Sequence, residues 1–480
     1  MVLEKSNEAD KGKLAFKAGT WYVISSVLVR AIAIITTPIF TRMMSTDEYG
    51  TVATFTSWYA LLITFCTANL NFSIGRAKID YEYDLDNYIG SMQLLSAFIT
   101  ILILFISFIF LDPLSKFLEL DKTIIILLSV YLLFSPAITF VQNGYRYRYQ
   151  YKQNVGIAWY VSVSTVVLSL VLMLVTPLEK DISRVMGIVI PNFLLSLVFW
   201  LRGIKQKRIH VNLEYWKYGF GISAPLVLHT VCMNILSQSD RIFIQKMWGT
   251  TPTAIYSLAY SYGIVISIIT NAVSDGWLPW FHDSYHNNEF KEIKKNTKLI
   301  VILGCYVGLA CIAMAPEAIT ILGGEKYAEG VYCVPPIVLG VVCQYIYTHY
   351  VNIEMHLKKT KYISGGTIFA ALTNIVLNYF FIPMFGYVAA AYTTLVSYFL
   401  LMIIHFLITR LLLKIKLYDD FFMFVSIIIT SCIGIGITFV YSNNIVRYSI
   451  VAVGFISFLF IFRNFIIAFI NTKFKYHKFK

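Results

Sequence analysis

Apolar runs of about 20 residues recur along the whole chain, and short polar stretches separate them. A helix of this length crosses a hydrocarbon core of roughly 30 Å. We interpret the runs as helices because lipid-facing backbone must satisfy its own hydrogen bonds, and a barrel strand needs only about half this length. Fourteen spans are predicted: 18–41, 49–73, 88–111, 122–143, 155–177, 182–201, 218–243, 253–275, 299–322, 332–353, 363–383, 387–409, 419–441 and 446–469. The predicted fold is therefore an all-α polytopic membrane protein with about 14 transmembrane helices.

The distribution of Lys and Arg orients these spans. With both termini in the cytosol, 29 of the 39 basic residues lie in cytosolic segments, nine lie in outside loops, and one, Arg30, lies within a span. The net charge of +13 then reflects topology, and nucleic-acid binding is not expected. The first apolar run, 18–40, is too long for a signal peptide and is interpreted as the first helix.

Composition supports the same class. The chain is 58% hydrophobic and 14% charged, whereas soluble chains are about half apolar and about a quarter charged. The seven Cys residues are odd in number and form no CxxC pair, so neither a disulfide framework nor a zinc site is expected. His282 and His286 have the spacing of two ligands on a helix but lack a third, and no metal site is predicted.

The seventh predicted span carries a continuous polar stripe. At 100° per residue, seven side chains fall on one face: Ser223, Thr230, Asn234, Ser237, Gln238, Arg241 and Gln245. Asp240 lies off this face, because neighbouring residues do not share a face. The first span repeats the pattern with Tyr22, Ser26, Arg30, Thr37 and Thr41. A shift of 204 residues superimposes the two stripes and suggests an internal repeat of spans 1–6 and 7–12.

Arg30 is the deepest charge in the predicted bundle. It lies 13 residues beyond Lys17, which is about 20 Å into the membrane at about 1.5 Å per residue. A charge at this depth is costly unless it faces a cavity or a partner. One interpretation is that spans 1 and 7 line a watery, cationic central cavity. The alternative is that Arg30 and Arg241 are structural and pair with carbonyls or with acids such as Asp240.

Several polar residues elsewhere in the spans are further candidates. Asn69 and Arg76 close the second span and are assigned to the cavity lining, although Arg76 is alternatively an anchor at the cytosolic surface. Asn352 shares a face of span 10 with Tyr345, His349 and His356, which favours a polar lining or a packing contact over a proton relay. Three acids are candidates for a coupling-ion site: Asp240, Asp275 and Glu354. Asp275 is alternatively the cap of a helix break at Gly276.

Two further segments lie at predicted cytosolic boundaries. YRYRYQYK, at 145–152, alternates aromatic and basic residues, which indicates anchoring at lipid headgroups. The longest predicted loop, near 276–298, is still short, so no soluble catalytic domain is expected. GxSxG, Walker A, HExxH and DxD motifs are absent from the sequence. We therefore predict a transporter without a cofactor, driven by Na⁺, by H⁺ or by the substrate gradient.

Four segments resemble bacterial polysaccharide flippases in their order and spacing. They are FTRMMSTDEYGTVATF at 40–55, NILSQSDRIFIQKMWGTTPTAIYSLAYS at 234–261, PEAITILGGEKYAEGVYCVPPIVLG at 316–340 and NIVLNYFFIPMFGYVAAAYTTLVSY at 374–398. The second has the family's Asp-Arg pair, with Ala254 where a Gly is usual, and the fourth has Asn374, Asn378 and Pro383 in the usual places. The resemblance covers about residues 14–470.

The family that these segments resemble is the O-antigen and capsule repeat-unit flippases, within the superfamily of multidrug, oligosaccharidyl-lipid and polysaccharide exporters. The resemblance implies two six-helix bundles related by a pseudo-two-fold axis, at 1–210 and 211–413, followed by two helices and a basic cytosolic tail at 414–480. It implies an undecaprenyl-diphosphate-linked oligosaccharide as substrate, moved from the cytosolic to the outer leaflet of the bacterial cytoplasmic membrane by alternating access. A polysaccharide polymerase and a chain-length regulator are the expected protein partners.

Three other functions compete with this interpretation. A cation-coupled multidrug exporter, or another lipid-linked-precursor exporter of the same superfamily, is the nearest; a drug exporter would favour acidic residues in the cavity, whereas the deepest charge here is Arg30. A membrane polysaccharide polymerase or ligase usually carries a large external loop, and the longest outside loops here, near 112–122 and 322–331, have about a dozen residues. The third is a structural scaffold for a glycan assembly complex.

Overall fold

The computed structural model describes the backbone of residues 2–477 and the side chains of residues 17–463. Throughout the described chain the regular structure is helical. Ten α-helices form the first half: α1 (Val2–Met43), α2 (Thr46–Thr67), α3 (Ile74–Asp80), α4 (Leu85–Ile109), α5 (Leu111–Leu118), α6 (Lys122–Phe134), α7 (Pro136–Tyr147), α8 (Tyr151–Val175), α9 (Lys180–Lys205) and α10 (Leu213–Trp248).

Nine α-helices follow: α11 (Thr250–Gly263), α12 (Ile266–His286), α13 (Phe290–Ala313), α14 (Ala315–Gly323), α15 (Val334–His356), α16 (Thr360–Phe385), α17 (Ala389–Leu407), α18 (Asp420–Thr438) and α19 (Asn444–His477). Short 3₁₀ segments occupy Leu70–Ser73, Glu82–Asp84 and Glu325–Cys333, and a π-helical turn occupies Ile408–Leu412. The side chains of the predicted basic tail lie beyond the described residues.

The predicted number of spans is confirmed. Thirteen described helical stretches are long and apolar enough to cross a membrane, and the bent pair Thr46–Thr67 and Leu70–Asp80 makes a fourteenth. The bend of 56° falls at Ala68 and Asn69, whose φ angles of 44° and 54° are left-handed. Asn tolerates this conformation better than most residues do, because its short polar side chain can form local hydrogen bonds.

One local prediction is wrong. Helix α12 has no break at Gly276 but runs on to His286, and α13 begins at Phe290. The predicted cytosolic loop at 276–298 therefore shrinks to residues 287–289. A glycine inside a helix costs only about 1 kcal/mol relative to alanine, so the packing of a long helix readily outweighs it.

Helix boundaries repeat along the chain. Three boundaries in the first half recur 204 residues later: Thr46 with Thr250, Ile109 with Ala313, and Leu111 with Ala315. The spacing widens afterwards, since α8 begins at Tyr151 and α16 begins at Thr360, 209 residues later. The offset found from two polar stripes thus also relates helix ends that those stripes do not include. This agreement supports a repeat of spans 1–6 and 7–12.

The described chain forms two compact units. The first contains residues up to Leu258, together with Leu322–Lys326 and Thr367–Ala390. The second contains Ala259–Ile321, Tyr327–Gly366 and the residues from Ala391 onward. The bundle boundaries at residues 210 and 413 concern the sequence repeat and stay a prediction.

Helices α8 and α9 of the first unit pack closely because both have a small residue at the contact, Ser169 on α8 and Gly187 on α9. A Cβ atom added to Gly187 would lie 2.5 Å from the Cα atom of Ser169, which is too close for any residue larger than glycine. The half-buried Arg184 donates to the Ser169 hydroxyl at 2.7 Å, and its guanidinium lies 3.9 Å from the centre of the Phe40 ring. Small residues and polar contacts of this kind hold helices together where lipid supplies no hydrophobic force.

In the second unit, Arg447 joins α19 to the end of α13 and to α14. Its side chain is 2% exposed, and it binds both carboxylate oxygens of Glu317 and donates to the Ala313 carbonyl oxygen at 3.1 Å. The Tyr448 hydroxyl also donates to Glu317, at 2.6 Å. Burial opposes ionisation of Glu317, but the hydrogen bonds from Arg447 and Tyr448 outweigh it and hold the pKa of the carboxyl below its ordinary value.

Removing this carboxylate is expected to destabilise the second unit. The Glu317→Ala variant leaves the Arg447 guanidinium buried without its counter-charge, which costs about 3–5 kcal/mol in folded proteins. Thermal unfolding of the purified protein in detergent measures the loss, and Glu325→Ala, which removes an exposed carboxylate, is the matched control. Because the folded pKa is depressed, the stabilisation is complete above the unfolded value, about 4.3, and is lost as the pH falls through the folded value. Equal melting temperatures for both variants would contradict this account.

Candidate functional site

Arg30 lies on α1, at the centre of the apolar span Lys17–Met43. Its side chain is exposed, and it forms no hydrogen bond or ion pair with any described residue. Ser26, one turn earlier, is also exposed, and Thr37 is half-buried with its hydroxyl donating to the Ala33 carbonyl oxygen at 2.8 Å. Since an unpaired guanidinium is costly in hydrocarbon, this face of α1 is suited to border water or a polar ligand.

The predicted polar stripe on α10 contacts α2, in the same unit. Three hydrogen bonds between side chains join the two helices: Thr54 donates to Gln245 at 3.0 Å, Ser57 donates to Gln238 at 3.2 Å, and Asn234 donates to Thr64 at 2.9 Å. Polar groups inside an apolar bundle need such partners. The stripe therefore holds α10 to α2, and a direct contact of Asn234 or Gln238 with substrate stays a prediction.

Arg241, the cation of the stripe, is only 8% exposed. One of its guanidinium nitrogens donates to the Gln238 side-chain oxygen at 2.7 Å and to the Ser237 carbonyl oxygen at 3.0 Å. Both acceptors lie one turn earlier on α10, so they hold the side chain along its own helix. Arg241 and Arg30 thus differ in their surroundings, because the first is buried and hydrogen-bonded whereas the second is exposed.

Asp240 lies at the centre of a buried network in the first unit. Its carboxylate is 1% exposed and accepts hydrogen bonds from the Tyr256 hydroxyl on α11 and, at 2.8 Å, from the Asn378 amide on α16. Asn378 also donates to Asn374, which accepts a hydrogen bond from Ser239 at 2.9 Å. This network connects α10, α11 and α16. The donors on α11 and α16 supply the hydrogen bonds that a buried carboxylate on α10 requires.

Asn69 and Arg76 occupy different environments. Asn69 is 4% exposed at the bend of the second span, and its amide donates to Thr230 at 2.9 Å and to the Leu226 carbonyl oxygen at 3.2 Å. Arg76, on α3, is exposed and pairs with Asp80 at 2.9 Å. An exposed pair of this kind contributes little to stability, about 0–1 kcal/mol. Asn69 thus extends the contact between α10 and the second span, whereas Arg76 lies on a surface.

Glu354 forms a buried pair with His405 in the second unit. Both side chains are 0% exposed, and the Glu354 Oε1 atom lies 2.8 Å from the His405 Nδ1 atom. The Glu354 Oε2 and His405 Nε2 atoms have no hydrogen-bond partner among the described residues. The His405 ring stacks on Tyr347 with ring centres 5.5 Å apart.

The other candidates in the second unit are less constrained. Asn352 is 5% exposed on α15, one turn from His349, which is 2% exposed with neither ring nitrogen bonded to a described residue. Asp275 is exposed on α12 and makes no ion pair with a described residue. Among the three acids predicted for an ion site, Glu354 is thus in a buried pair, Asp240 is in a network, and Asp275 is at a surface.

Sequence reasoning missed the partners of these acids. Asn374 and Asn378 entered only as positions of a resembling segment, although two amides at i, i+4 in an apolar span already indicate a buried polar contact. His405 and Tyr256 were not singled out at all. A single His or Tyr in an apolar run is common, and only the packing of α15 against α17, and of α10 against α11, shows that each contacts a carboxylate.

The fold matches those of solved membrane proteins. It is similar to that of the lipid II flippase MurJ in an inward closed conformation, with a TM-score of 0.73, 12% identity, and coverage of 92% of this chain and 99% of that one. It is also similar to an inward-facing multidrug resistance MATE family transporter of the MOP superfamily, with a TM-score of 0.64, 13% identity, and coverage of 82% and 98%. The chain therefore shares the fold of these two proteins, and the predicted all-α polytopic membrane fold is confirmed.

The sequence comparisons identify the family. Residues 15–285, more than half of the chain, match the model of the polysaccharide biosynthesis protein family. The chain belongs to this family. It is also 20% identical over 122 residues to the capsular polysaccharide biosynthesis protein CapF of Staphylococcus aureus. That match covers 25% of this chain and 31% of CapF.

Proposed function

We propose that this protein is a flippase that moves undecaprenyl-diphosphate-linked oligosaccharide repeat units from the cytosolic to the outer leaflet of a bacterial cytoplasmic membrane. The observation that carries the proposal is Arg30, an exposed cation at mid-span without a partner among the described residues. Membership of the polysaccharide biosynthesis protein family and the flippase fold supply its context.

The chemistry of the substrate explains the need for such a cation. A diphosphate and a glycan do not cross hydrocarbon unaided, because their polar groups lose water without gaining partners. Guanidinium presents a fixed fork of N–H donors that matches phosphate oxygens. In our proposal Arg30 contacts the diphosphate, the hydroxyls of Ser26 and Thr37 replace water beside it, and the polyprenyl chain stays in lipid. The transporter then alternates between inward-open and outward-open states, as repeat-built transporters do.

We further propose that H⁺ is the coupling ion and that Glu354 and His405 carry it. Without a shared proton this pair has a net charge of −1, and with one proton it is neutral. A net charge in a site that is 0% exposed is costly without a counter-charge, and in our proposal the transported proton supplies that counter-charge. Tyr347, which stacks on His405, provides no charge to replace that proton.

Neutralising Glu354 is expected to uncouple transport from a proton gradient. A difference of one pH unit corresponds to about 1.4 kcal/mol, so one coupled proton supports about tenfold accumulation of substrate. Wild-type protein in vesicles should approach this ratio, whereas Glu354→Gln should only equilibrate the two leaflets. Glu325→Gln, which neutralises an exposed carboxylate outside the predicted ion sites, is the control and should behave as wild type. A Glu354→Gln variant that still responds to the gradient would exclude this role.

The multidrug exporter remains the second candidate, because the fold is also similar to that of a multidrug resistance transporter. Cationic drugs require an anionic binding face, and the exposed charge at mid-span is a cation. We therefore give preference to an anionic, lipid-linked substrate.

A strain that lacks the gene tests the proposal. We expect undecaprenyl-diphosphate-linked glycan to build up on the cytosolic leaflet and surface polysaccharide to be lost. Wild-type protein should restore both. If lipid-linked glycans and surface polysaccharide stay normal in the deletion strain, the proposed function is wrong.

A further inference from the structure

A separate polar cavity lies inside the first unit, where α4 begins and α7 and α9 end. Its volume is about 200 Å³, and its mouth opens to solvent. Its polar lining consists mainly of Asp86, Gln93, Tyr145, Arg148, Arg202 and Arg208. By the predicted topology, this mouth faces the cytosol. The cavity is formed by helices of one unit alone.

The charge of this lining is strongly positive. Asp86 accepts from Arg148 at 2.6 Å and from Arg208 at 2.8 Å, one guanidinium on each carboxylate oxygen. Arg202 has no acidic partner among the described residues. Three cations against one anion leave an excess of two positive charges. Asp86 therefore fixes the orientation of two arginines without neutralising the cavity, and most of their N–H donors remain available.

The backbone also holds Arg208 in place. Gly90 on α4 contacts the chain that follows α9, so that a Cβ atom at position 90 would lie 2.4 Å from the Arg208 carbonyl oxygen. The segment 145–152, which was predicted to anchor at lipid headgroups, places its two arginines in different surroundings. Arg146 is exposed, whereas the Arg148 side chain is 29% exposed and contacts Asp86 at the cavity.

Gln93 supplies an independent observation at the inner end. Its side chain is 4% exposed and lines the cavity, and its amide Nε2 atom has no hydrogen-bond partner among the described residues. Gln93 lies two helical turns beyond Asp86, which is about 10 Å along α4. A buried amide donor without an acceptor is unfavourable, and an oxygen atom of a ligand in this cavity would satisfy it.

We infer that this cavity binds a phosphate ester from the cytosolic side. The phosphate oxygens contact Arg148, Arg202 and Arg208, and an oxygen of the attached polar group accepts the Gln93 amide. Two sources carry this chemistry, namely the headgroup of an anionic phospholipid and a soluble sugar phosphate. The inference does not depend on the transport route through Arg30, since the two places share none of their residues.

Binding to the purified protein tests the inference. One arm measures retention of phosphatidylglycerol by native mass spectrometry, and the other measures thermal stabilisation by glucose 1-phosphate. We expect one of these ligands to bind wild-type protein. Arg202→Gln, which leaves both Asp86 pairs intact, should weaken binding of that ligand at least tenfold. Arg146→Gln, which changes the matched surface arginine, should leave its binding unchanged.

The Gln93→Leu variant separates a binding role from a structural one. We expect it to weaken binding of the ligand. The ligand-free variant should melt at the wild-type temperature or above, because the substitution removes an unsatisfied buried group. Retention of the lipid alone identifies a headgroup site, and stabilisation by the sugar phosphate alone identifies a soluble ligand. If neither ligand binds, or if Arg202→Gln and Arg146→Gln weaken binding equally, the inference is overturned. Flippase activity is measured separately, and neither its loss nor its retention changes the binding that we expect.

Discussion

Replacing Arg30 with alanine is expected to slow transport of the lipid-linked glycan about ten- to hundredfold. Hydrogen bonds to charged groups contribute about 1.5–3 kcal/mol each, and every 1.4 kcal/mol corresponds to about a factor of ten. The guanidinium is exposed and without a partner among the described residues, so its removal breaks no hydrogen bond or ion pair with any of them. Folding and abundance should therefore stay normal. The measurement is the amount of cytosolic-leaflet intermediate in the deletion strain that carries each variant.

The Arg30→Lys variant distinguishes charge from geometry. Lysine keeps the positive charge but lacks the planar fork of N–H donors. If both the charge and the fork contribute to phosphate binding, we expect Arg30→Lys to recover part of the transport rate. Arg146→Gln, an exposed arginine on α7, is the control and should transport as wild type. Normal transport by Arg30→Ala would show that the substrate does not pass this face of α1.

Removing the Asp240 carboxylate is expected to produce a large loss of stability. Asp240→Ala leaves the Tyr256 hydroxyl and an Asn378 N–H, both buried, without the acceptor that each has now. Leaving a buried donor without its acceptor costs about 1–3 kcal/mol, so the loss of two such acceptors is expected to cost about 2–6 kcal/mol. Thermal unfolding and size-exclusion profiles of the purified protein in detergent report this loss directly.

The Asp240→Asn variant tests the alternative role of Asp240 as a coupling-ion ligand. The amide keeps an oxygen acceptor for one of the two donors, so a smaller loss of stability is expected. If Asp240 only ties helices together, the variant should still respond to an imposed ion gradient. Loss of that response in a well-folded protein would assign the coupling ion to Asp240, and unchanged stability of Asp240→Ala would contradict the network.

Most of the fold follows from the length of the apolar runs. A run of about 20 residues fixes both a helix and its crossing of the membrane, so 14 spans could be predicted from sequence. Breaks within spans are harder, because they depend on tertiary contacts. The bend at Asn69 is held partly by Thr230 on another helix, whereas Gly276, a stronger local signal, causes no break.

The candidate site was less predictable for a related reason. A helical wheel shows that Asn234, Gln238 and Arg241 share a face, but it does not show what that face contacts. In the structure much of this stripe is matched by hydroxyls of α2. Arg30 lies on a similar stripe and has no such partner among the described residues. The pairing of Glu354 on α15 with His405 on α17 likewise joins two residues that are 51 positions apart in sequence.

The most direct test of the central claim is flipping by the purified protein. Proteoliposomes would contain undecaprenyl-diphosphate-linked oligosaccharide with a labelled glycan, and a membrane-impermeant reagent would report the leaflet of the label. We predict that wild-type protein moves the label between leaflets well above the rate of protein-free vesicles, and that Arg30→Ala does so about ten- to hundredfold more slowly. A wild-type rate equal to that of protein-free vesicles, in preparations that export a cationic drug, would contradict the account and assign a multidrug exporter instead.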